Sequence, residues 1–437
     1  MKSSIELIDP ERQLLEKWQE PKWEEMIQSQ LGEVEGSARA ERAIVRGRKI
    51  KGAVQLLRLV LAYAVCDWSL RLVGAWATIQ GIADLSDVAL LYRFCRCGAW
   101  LGHLIGAVLQ QRSEILRQLG RVRLRLVDAT VISRPGSEGT DWRIHLSLDV
   151  GRLSMDGVEI SDGRGGESLV RFAPRADEIY VADRGYSFAR GLGPLLAASA
   201  YLVVRINWNS LPLQTQLGLP LDQIRCLQGL TSTTESQVSL VTPQGAFPLR
   251  WIAYPLPAEK AERARQKVCK QAKKKGKKVS YSTWLAAGFV VLVTNLPAQT
   301  WDTSRILYLY RLRWQIELYF KRLKSLLQLD HLRAQDPQLV QAYLLAKLLA
   351  ALLLDQLAQN AELLAPSLFQ SLQRPASIWR LQSLFLLSLR QTITGPLSLT
   401  RILAYLPYLH RYLCDSPRAR PQQLAWARRT LARLLAI

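Results

Sequence analysis

Between Ser304 and Leu329 the sequence calls for one long helix that is buried along one stripe and reactive along the next. An α-helix turns about 100° per residue. On that wheel Leu312, Ile316, Tyr319, Leu323 and Leu326 fall between about 160° and 240°, an apolar stripe that needs a core to pack against. Tyr310, Arg313, Glu317 and Lys324 share an adjoining arc of roughly 60°. Charges on a helix usually mean a solvated face stapled by side-chain pairs. Here they border the apolar stripe, which puts four chemically capable side chains at the margin of a core.

Strands must supply that core. Arg121-Val-Arg-Leu-Arg-Leu-Val-Asp128 alternates basic and apolar residues and predicts a strand ending on Asp128. Glu178-Ile-Tyr-Val-Ala-Asp183 predicts a second, ending on Asp183 before a turn at Gly185. Trp142–Val150 and Leu169–Phe172 are further strand candidates, and Phe188–Ala200 predicts a helix. Carboxylates at the ends of neighbouring strands can converge, and one on a helix packed against the sheet can join them. Hard divalent cations take such oxygens as ligands. Two of them, about 3.5–4 Å apart, can clamp the attacking and leaving oxygens of a phosphodiester. Either aspartate alone reads as a turn residue; Asp128, Asp183 and Glu317 together point to phosphoryl transfer. Asp141 and Glu167 are extra carboxylates without an assigned role, and His145 reads as a structural histidine.

The charge balance suits a polyanionic partner. Fifty-eight Lys and Arg face 36 Asp and Glu over 437 residues, a formal net charge of +22, which attracts phosphates at long range. An anionic membrane is the rival. The most apolar stretch, Tyr343–Leu354, is interrupted by Lys347 and ends at Asp355, short of the roughly 20 residues a span needs. The start, MKSSIELIDPERQ, lacks the apolar run of a signal peptide. The expectation is a soluble intracellular protein with no membrane partner. Of six cysteines only Cys95 and Cys97 are close, and the four histidines are dispersed, which argues for reduced thiols and against a structural zinc site.

The rest of the chain reads as helix, then short strands, then helix. Glu11–Gln30 and Ile50–Ala64 have helical spacing. A turn from Gly81 leads to Ser86, a predicted N-cap for a helix carrying Arg93 and Arg96. This pattern suits a DNA-binding helix-turn-helix and equally a plain helical bundle. Tyr201–Ile206, Gln237–Val241 and Leu249–Tyr254 are short β runs. A basic run, Lys260–Lys278, includes Lys273, Lys274 and Lys275. Gly288–Thr294 predicts an apolar strand, and from Pro337 onward the chain is mostly Leu/Ala-rich helix.

Three motifs now stand together. They are Asp128-Ala-Thr, Asp183-Arg-Gly-Tyr, and Tyr310, Arg313, Glu317 and Lys324 at ungapped spacing. This set resembles the bacterial insertion-sequence DDE transposases marked by a Tyr-Arg-Glu-Lys signature, over roughly residues 45 to 350. Val291–Pro297 is similar to the strand before the signature helix in that family, and Trp142–His145 to its second core strand. The resemblance implies an α/β fold, a ribonuclease-H-like core with a β-rich insertion, flanked by N- and C-terminal helical regions. The corresponding order is a helical DNA-end-binding region at 1–118, core at 119–200, insertion at 201–287, core with the signature helix at 288–340, and a helical region at 341–437 suited to dimerisation. It implies Mg²⁺ as two ions, Mn²⁺ substituting, held by Asp128, Asp183 and Glu317, with strand cleavage at transposon ends and strand transfer into target DNA. It further implies phosphate contacts from Tyr310, Arg313 and Lys324, assisted by Lys321, Trp314 and Arg184. The partner would be double-stranded DNA, bound by a homodimer, in the bacterial cytoplasm on the nucleoid. Lys273, Lys274 and Lys275 would add sequence-independent contacts. Val290 stands where some members carry a Trp that stacks a flipped base; Phe289 and Trp284 are the aromatics nearby. Two alternatives stay open, a DNA-binding protein that has lost catalysis and a nuclease of the same fold.

Overall fold

The computed structural model describes residues 22–47, 49–118, 123–134, 136–364, 377–409 and 412. The chain forms two compact units, one from residues 1–105, 334–354 and 364–437, the other from 106–333 and 355–363. The first begins with α1 (Trp23–Leu31), α2 (Glu35–Ala40), α3 (Ala53–Val65), α4 (Leu70–Ile79) and α5 (Asp87–Cys95), followed by α6 (Gly98–Gln118). The predicted helix Glu11–Gln30 is seen from Trp23 onward; its earlier part lies outside the described residues. α3 is apolar and buried along most of its length, as a central helix must be. Ser69 and Ser86 cap α4 and α5, each hydroxyl accepting from the amide N–H of the third helical residue, Leu72 or Ala89, at 3.2 Å.

The second unit is built on one nine-stranded sheet. Its strands are β1 (Leu124–Ile132), β2 (Trp142–Asp149), β3 (Ser154–Asp162), β4 (Ile179–Ala182), β5 (Tyr201–Arg205), β6 (Leu213–Gln214), β7 (Thr234–Thr242), β8 (Gly245–Pro255) and β9 (Phe289–Thr294). The spatial order is β3-β2-β1-β4-β5-β9-β8-β7-β6. β1, β4 and β5 run parallel, while β2, β3 and β9 are antiparallel to their neighbours. α7 (Ala189–Ala197) connects β4 to β5. β4 is buried at every position and β9 at five of six, the continuous apolar run of strands covered on both faces.

Three sequence expectations change here. Leu169–Phe172 is a single 3₁₀ turn, not a strand. β3 was not expected, because its acidic residues and Gly157 mask the β pattern. It is the sheet's edge, and a Cβ at Gly157 would stand 2.8 Å from the Phe172 ring. Tyr201–Arg205, read as the opening of the insertion, is the parallel neighbour of β4. The later strands β6–β8 continue the same sheet through β9. Between them lie α8 (Gln223–Leu227), α9 (Ala258–Lys274) and α10 (Tyr281–Ala286). The basic run is therefore mostly helix α9.

The long helix expected from Ser304 is two helices, α11 (Thr303–Leu312) and α12 (Trp314–Leu326). The Asp302 carboxylate caps α11 through the Arg305 amide at 2.8 Å. At Arg313 the amide donates to Tyr310 O at 3.1 Å, and Arg313 O accepts from Ile316 N at 3.2 Å. These i→i−3 bonds tighten the turn and interrupt the α ladder. Ile306, Leu309, Ile316, Tyr319, Phe320 and Leu323 form the buried stripe.

α13 (Pro337–Leu364), α14 (Ile378–Thr394), α15 (Leu399–Tyr405) and a 3₁₀ turn at Leu406–Leu409 complete the described elements. The apolar stretch is longer than its sequence reading, because Pro337–Ala361 is by length and composition able to cross a membrane. Of that window 78% is buried within the protein, as in the core helix of a folded domain. Lys347 is fully buried there, its ammonium 4.2 Å over the Tyr343 ring.

Candidate active site

Strand register brings the two aspartates side by side. The parallel pairing of β1 with β4 ends at Val127 opposite Ala182. The next residues are Asp128 and Asp183. Asp128 is thus not at the end of its strand, as the alternation suggested. β1 outruns β4 and continues against β2, with Asp128 opposite Leu146. β4 stops because Asp183 leads into a 3₁₀ turn, Arg184–Tyr186. Gly185 in that turn lets the Glu167 carboxylate approach the backbone; a Cβ there would lie 1.5 Å from Glu167 Oε2 and push that side chain away.

The break between α11 and α12 aims Arg313 into this corner. Its Nη1 is 3.5 Å from Asp128 Oδ2, and its Nη2 is 4.0 Å from Asp183 Oδ2 and 2.6 Å from Glu317 Oε1. One guanidinium therefore touches a carboxylate from each of two strands and one helix. Tyr310 adds a fourth group, its hydroxyl donating to Asp183 Oδ1 at 3.0 Å. The Arg313 side chain is 14% exposed, against 32% for Asp183 and 35% for Glu317, so the cluster opens to solvent on the side of those two carboxylates.

Burial sets the electrostatics. It pushes the Asp128 carboxyl up to about 6, with Glu167 and Asp183 adding to the rise and the Ala129 amide and Arg313 resisting it. For Asp183 burial acts in the same direction, but Arg313, the Arg184 amide and the charges of Arg205 and Arg184 outweigh it and hold the carboxyl below its ordinary value. Burial also lifts the Tyr310 phenol to about 12, helped by Asp183, so Tyr310 stays a donor. Arg313 remains firmly charged, since Asp183, Tyr310 and Glu317 overcome its desolvation.

The other expected residues lie outside this cluster. Trp314 and Lys321 are exposed on α12, and Lys324 is half-buried there. Lys273 and Lys274 end α9, with Lys275 just beyond it. Arg184 follows Asp183, and Arg205 at the end of β5 stands close enough to depress its basicity, second to burial. These two arginines, with Asn207, Trp208 and Phe289, line a cavity of about 200 Å³. Phe289 is otherwise core, and the Trp284 ring is covered by the Arg265 guanidinium at 4.1 Å. His145 is fully buried beside Ser161 Oγ at 2.9 Å, and burial, Arg171 and Arg143 lower it to about 4. Among the described residues no three Asp, Glu, His or Cys donors stand as a ready metal cage. The three carboxylates meet around a guanidinium instead.

Comparison with known proteins decides the family. The family model "Transposase DDE domain" matches residues 122–353, a span that contains Asp128, Asp183 and Glu317. InsL of insertion sequence element IS186A from Escherichia coli (strain K12) is 41% identical over 335 residues, covering 75% of this chain and 90% of the relative. The chain belongs to the DDE transposase family. The transposase for insertion sequence element IS421 from Escherichia coli is 40% identical over 336 residues, covering 75% and 91%. That for IS231F from Bacillus thuringiensis subsp. israelensis is 24% identical over 436 residues, covering 87% and 90%. A solved structure, the piggyBac transposase synaptic complex with hairpin DNA, aligns over 92% of this chain and 86% of its own with a TM-score of 0.43 and 10% identity. That likeness is too weak to carry weight. The protein is accordingly an enzyme, a DNA transposase of bacterial insertion-sequence type.

Sequence reasoning missed Arg205 in this transposase, took Tyr186 only as the end of the Asp183-Arg-Gly-Tyr motif and gave Glu167 no role. Arg205 ends an apolar run as Asp183 does, a signal usable once β5 is known to run parallel to β4. Tyr186 is buried, its phenol pushed far up by burial and by Asp128 and Glu167. No spacing in the sequence ties Glu167 to Gly185.

Proposed function

We propose that this transposase cuts double-stranded DNA at the ends of its own element and joins them to target DNA, with Asp128, Asp183 and Glu317 as its reacting centre. The observation that carries the reading is the Arg313 guanidinium, within 4.0 Å of all three carboxylates. Carboxylates gathered around one cation form a site that other cations can share. The strand order β3-β2-β1-β4-β5, with β1, β4 and β5 parallel, supports a ribonuclease-H-like core.

The donor set fits hard divalent cations, Mg²⁺ or Mn²⁺. It is all carboxylate, and Asp128, its carboxyl raised to about 6 by burial first and by Glu167 and Asp183 after it, gains most from a cation beside it. Asp128, Asp183 and Glu317 would hold two such ions, which when bound supply Lewis-acid activation of the attacking oxygen and stabilisation of the leaving one. Everything else falls to the chain. Tyr310 fixes the orientation of Asp183 through its hydrogen bond. Arg313 favours the ionised form of both Asp128 and Asp183 and, once displaced from them, offers its planar fork to a phosphate. Lys321, Lys324 and Trp314 on α12, with Arg184 beside Asp183, extend the phosphate-binding surface. Water is the attacking group for nicking and a DNA 3′-hydroxyl for joining. A homodimer holding two DNA ends completes the reading.

The test is Mg²⁺-dependent cleavage of a duplex carrying the element's own end, comparing wild type with Glu317→Ala. Wild type should cleave, and the variant should lose more than ~100-fold in rate while binding the duplex equally well. Mn²⁺ binding followed by calorimetry should weaken in the variant in parallel. Equal cleavage by both proteins would remove Glu317 from the site.

A further inference from the structure

Helix α9 carries a line of cations that the reacting centre does not use. Lys260, Arg263, Lys267, Lys270 and Lys274 recur at spacings of three and four, and all are exposed. Spaced this way they fall within an arc of about 80° on the helix. Their opposite is the packed side, where Ala261 is buried and Ala264, Arg265, Val268 and Ala272 are half-buried. Arg265 lies 4.1 Å over the Trp284 ring of α10, which fixes the helix's rotation and turns the stripe outward. Glu259 and Glu262 are the acidic residues of the helix, and only Glu259 pairs with the stripe, through Arg263. Lys273 and Lys275 lie off this line.

We infer that this stripe binds the phosphate backbone of duplex DNA, without reading its sequence. The fit is one of length and charge. From Lys260 to Lys274 the helix rises about 21 Å, and B-DNA carries one phosphate charge per ~1.7 Å of axis over its two strands, so a straight row of cations of that length meets phosphates wherever it lies along the duplex. Lysines are point charges on flexible stems, suited to phosphate and poor at base-edge recognition. The inference rests on the transposase reading for its partner; of Lys273, Lys274 and Lys275 it keeps Lys274 alone and adds Lys260, Arg263, Lys267 and Lys270.

Two variants of the full-length protein test it, each removing four charges. The first changes Lys260, Lys267, Lys270 and Lys274 to Gln; the second changes Lys273, Lys275, Lys277 and Lys278 to Gln. Binding to an end-bearing duplex and to an unrelated duplex is measured across a salt series, with circular dichroism to verify the helix. Each lost phosphate contact flattens the slope of log K against log salt by about 0.9. The stripe variant should flatten it by about 3 to 4 on both duplexes, and the second variant by less than about 1. Equal flattening by both variants would mean diffuse attraction and overturn the stripe, as would no change in either. Flattening confined to the end-bearing duplex would overturn its sequence independence. Slopes are read without cleavage, so a catalytic assignment that fails with Glu317→Ala leaves this result intact.

Discussion

Asp128 keeps its charge against its surroundings. Its carboxyl rises from 3.8 to about 6 through burial first. A carboxylate raised in the folded state adds stability while protonated; that contribution is complete below the unfolded value and disappears as pH climbs through about 6. Near pH 7.5 the ionised group therefore costs the fold on the order of 2–3 kcal/mol. Asp128→Asn, which keeps the acceptor for the Ala129 amide, should raise the melting temperature at pH 7.5 in metal-free buffer and leave it nearly unchanged at pH 5, while abolishing cleavage. A uniform shift at both pH values would show that the ionised charge is not the source. With Asp128 proposed as a metal ligand, protons compete with the cation for its carboxylate, so wild-type cleavage is expected to fall on acidification below about 6 and to fall at lower pH as Mg²⁺ is raised. Arg313→Lys should retain the fold but lose the forked contact to Asp128, Asp183 and Glu317, lowering cleavage by at least ~10-fold. Asp183 and Glu317 were legible through the resemblance carried by the Asp-Arg-Gly-Tyr motif and the set from Tyr310 to Lys324, and Asp128 through Asp128-Ala-Thr, the least specific of the three motifs. Arg313's place among the carboxylates was not, since helical spacing gives direction only up to the one-residue break that re-aims it.

Pairs of elements were legible where alternation or a cap marks them and lost where a buried charge disguises a strand. β2 begins where Trp142 was expected to begin it, and the predicted N-cap Ser86 caps α5. Arg123 and Arg125 of the alternating run at β1, however, do not face solvent. Arg125 is buried against Glu178 at 2.9 Å, Asp156 at 3.0 Å and Tyr180 Oη at 2.9 Å, so a pattern read as half-exposed is satisfied by internal ion pairs. A similar buried contact anchors α12. Asp355, 3% exposed, accepts the Tyr319 hydroxyl at 2.8 Å and the Met155 amide at 3.3 Å, and Tyr319 lies two residues beyond Glu317. Tyr319→Phe removes one donor from a buried carboxylate and should destabilise the protein by about 1–3 kcal/mol in denaturant melts. Were the bond to orient Glu317 as well, cleavage per folded molecule would fall too; an unchanged rate confines Tyr319 to stability.

On the scale of the whole molecule the surplus of 22 positive charges dictates how the transposase meets DNA. A protein using six to ten phosphate contacts loses roughly 10³–10⁵ in affinity between 50 and 200 mM salt, and filter binding to unrelated duplex should follow that fall. The continuity of the nine-stranded sheet was the feature least visible in the sequence, because β5 and β9 find each other across more than eighty residues. That pairing has a consequence for the architecture's history and reuse. β5 and β9 are antiparallel, and Ile206 N donates to Val291 O at 2.9 Å where their ladder closes. They are the two arms of one β-hairpin, and the chain from Asn207 to Val290 occupies the place of its turn. A two-residue turn could close such a hairpin, so the segment is excisable in principle. Excision would leave Val291, Leu292 and Val293 as a bare outer rim with unpaired backbone groups, the template for edge-to-edge association. The large loop is therefore also a lid on the sheet's margin, and a shortened transposase is expected to scatter light as it self-associates unless that rim is given charge or a proline.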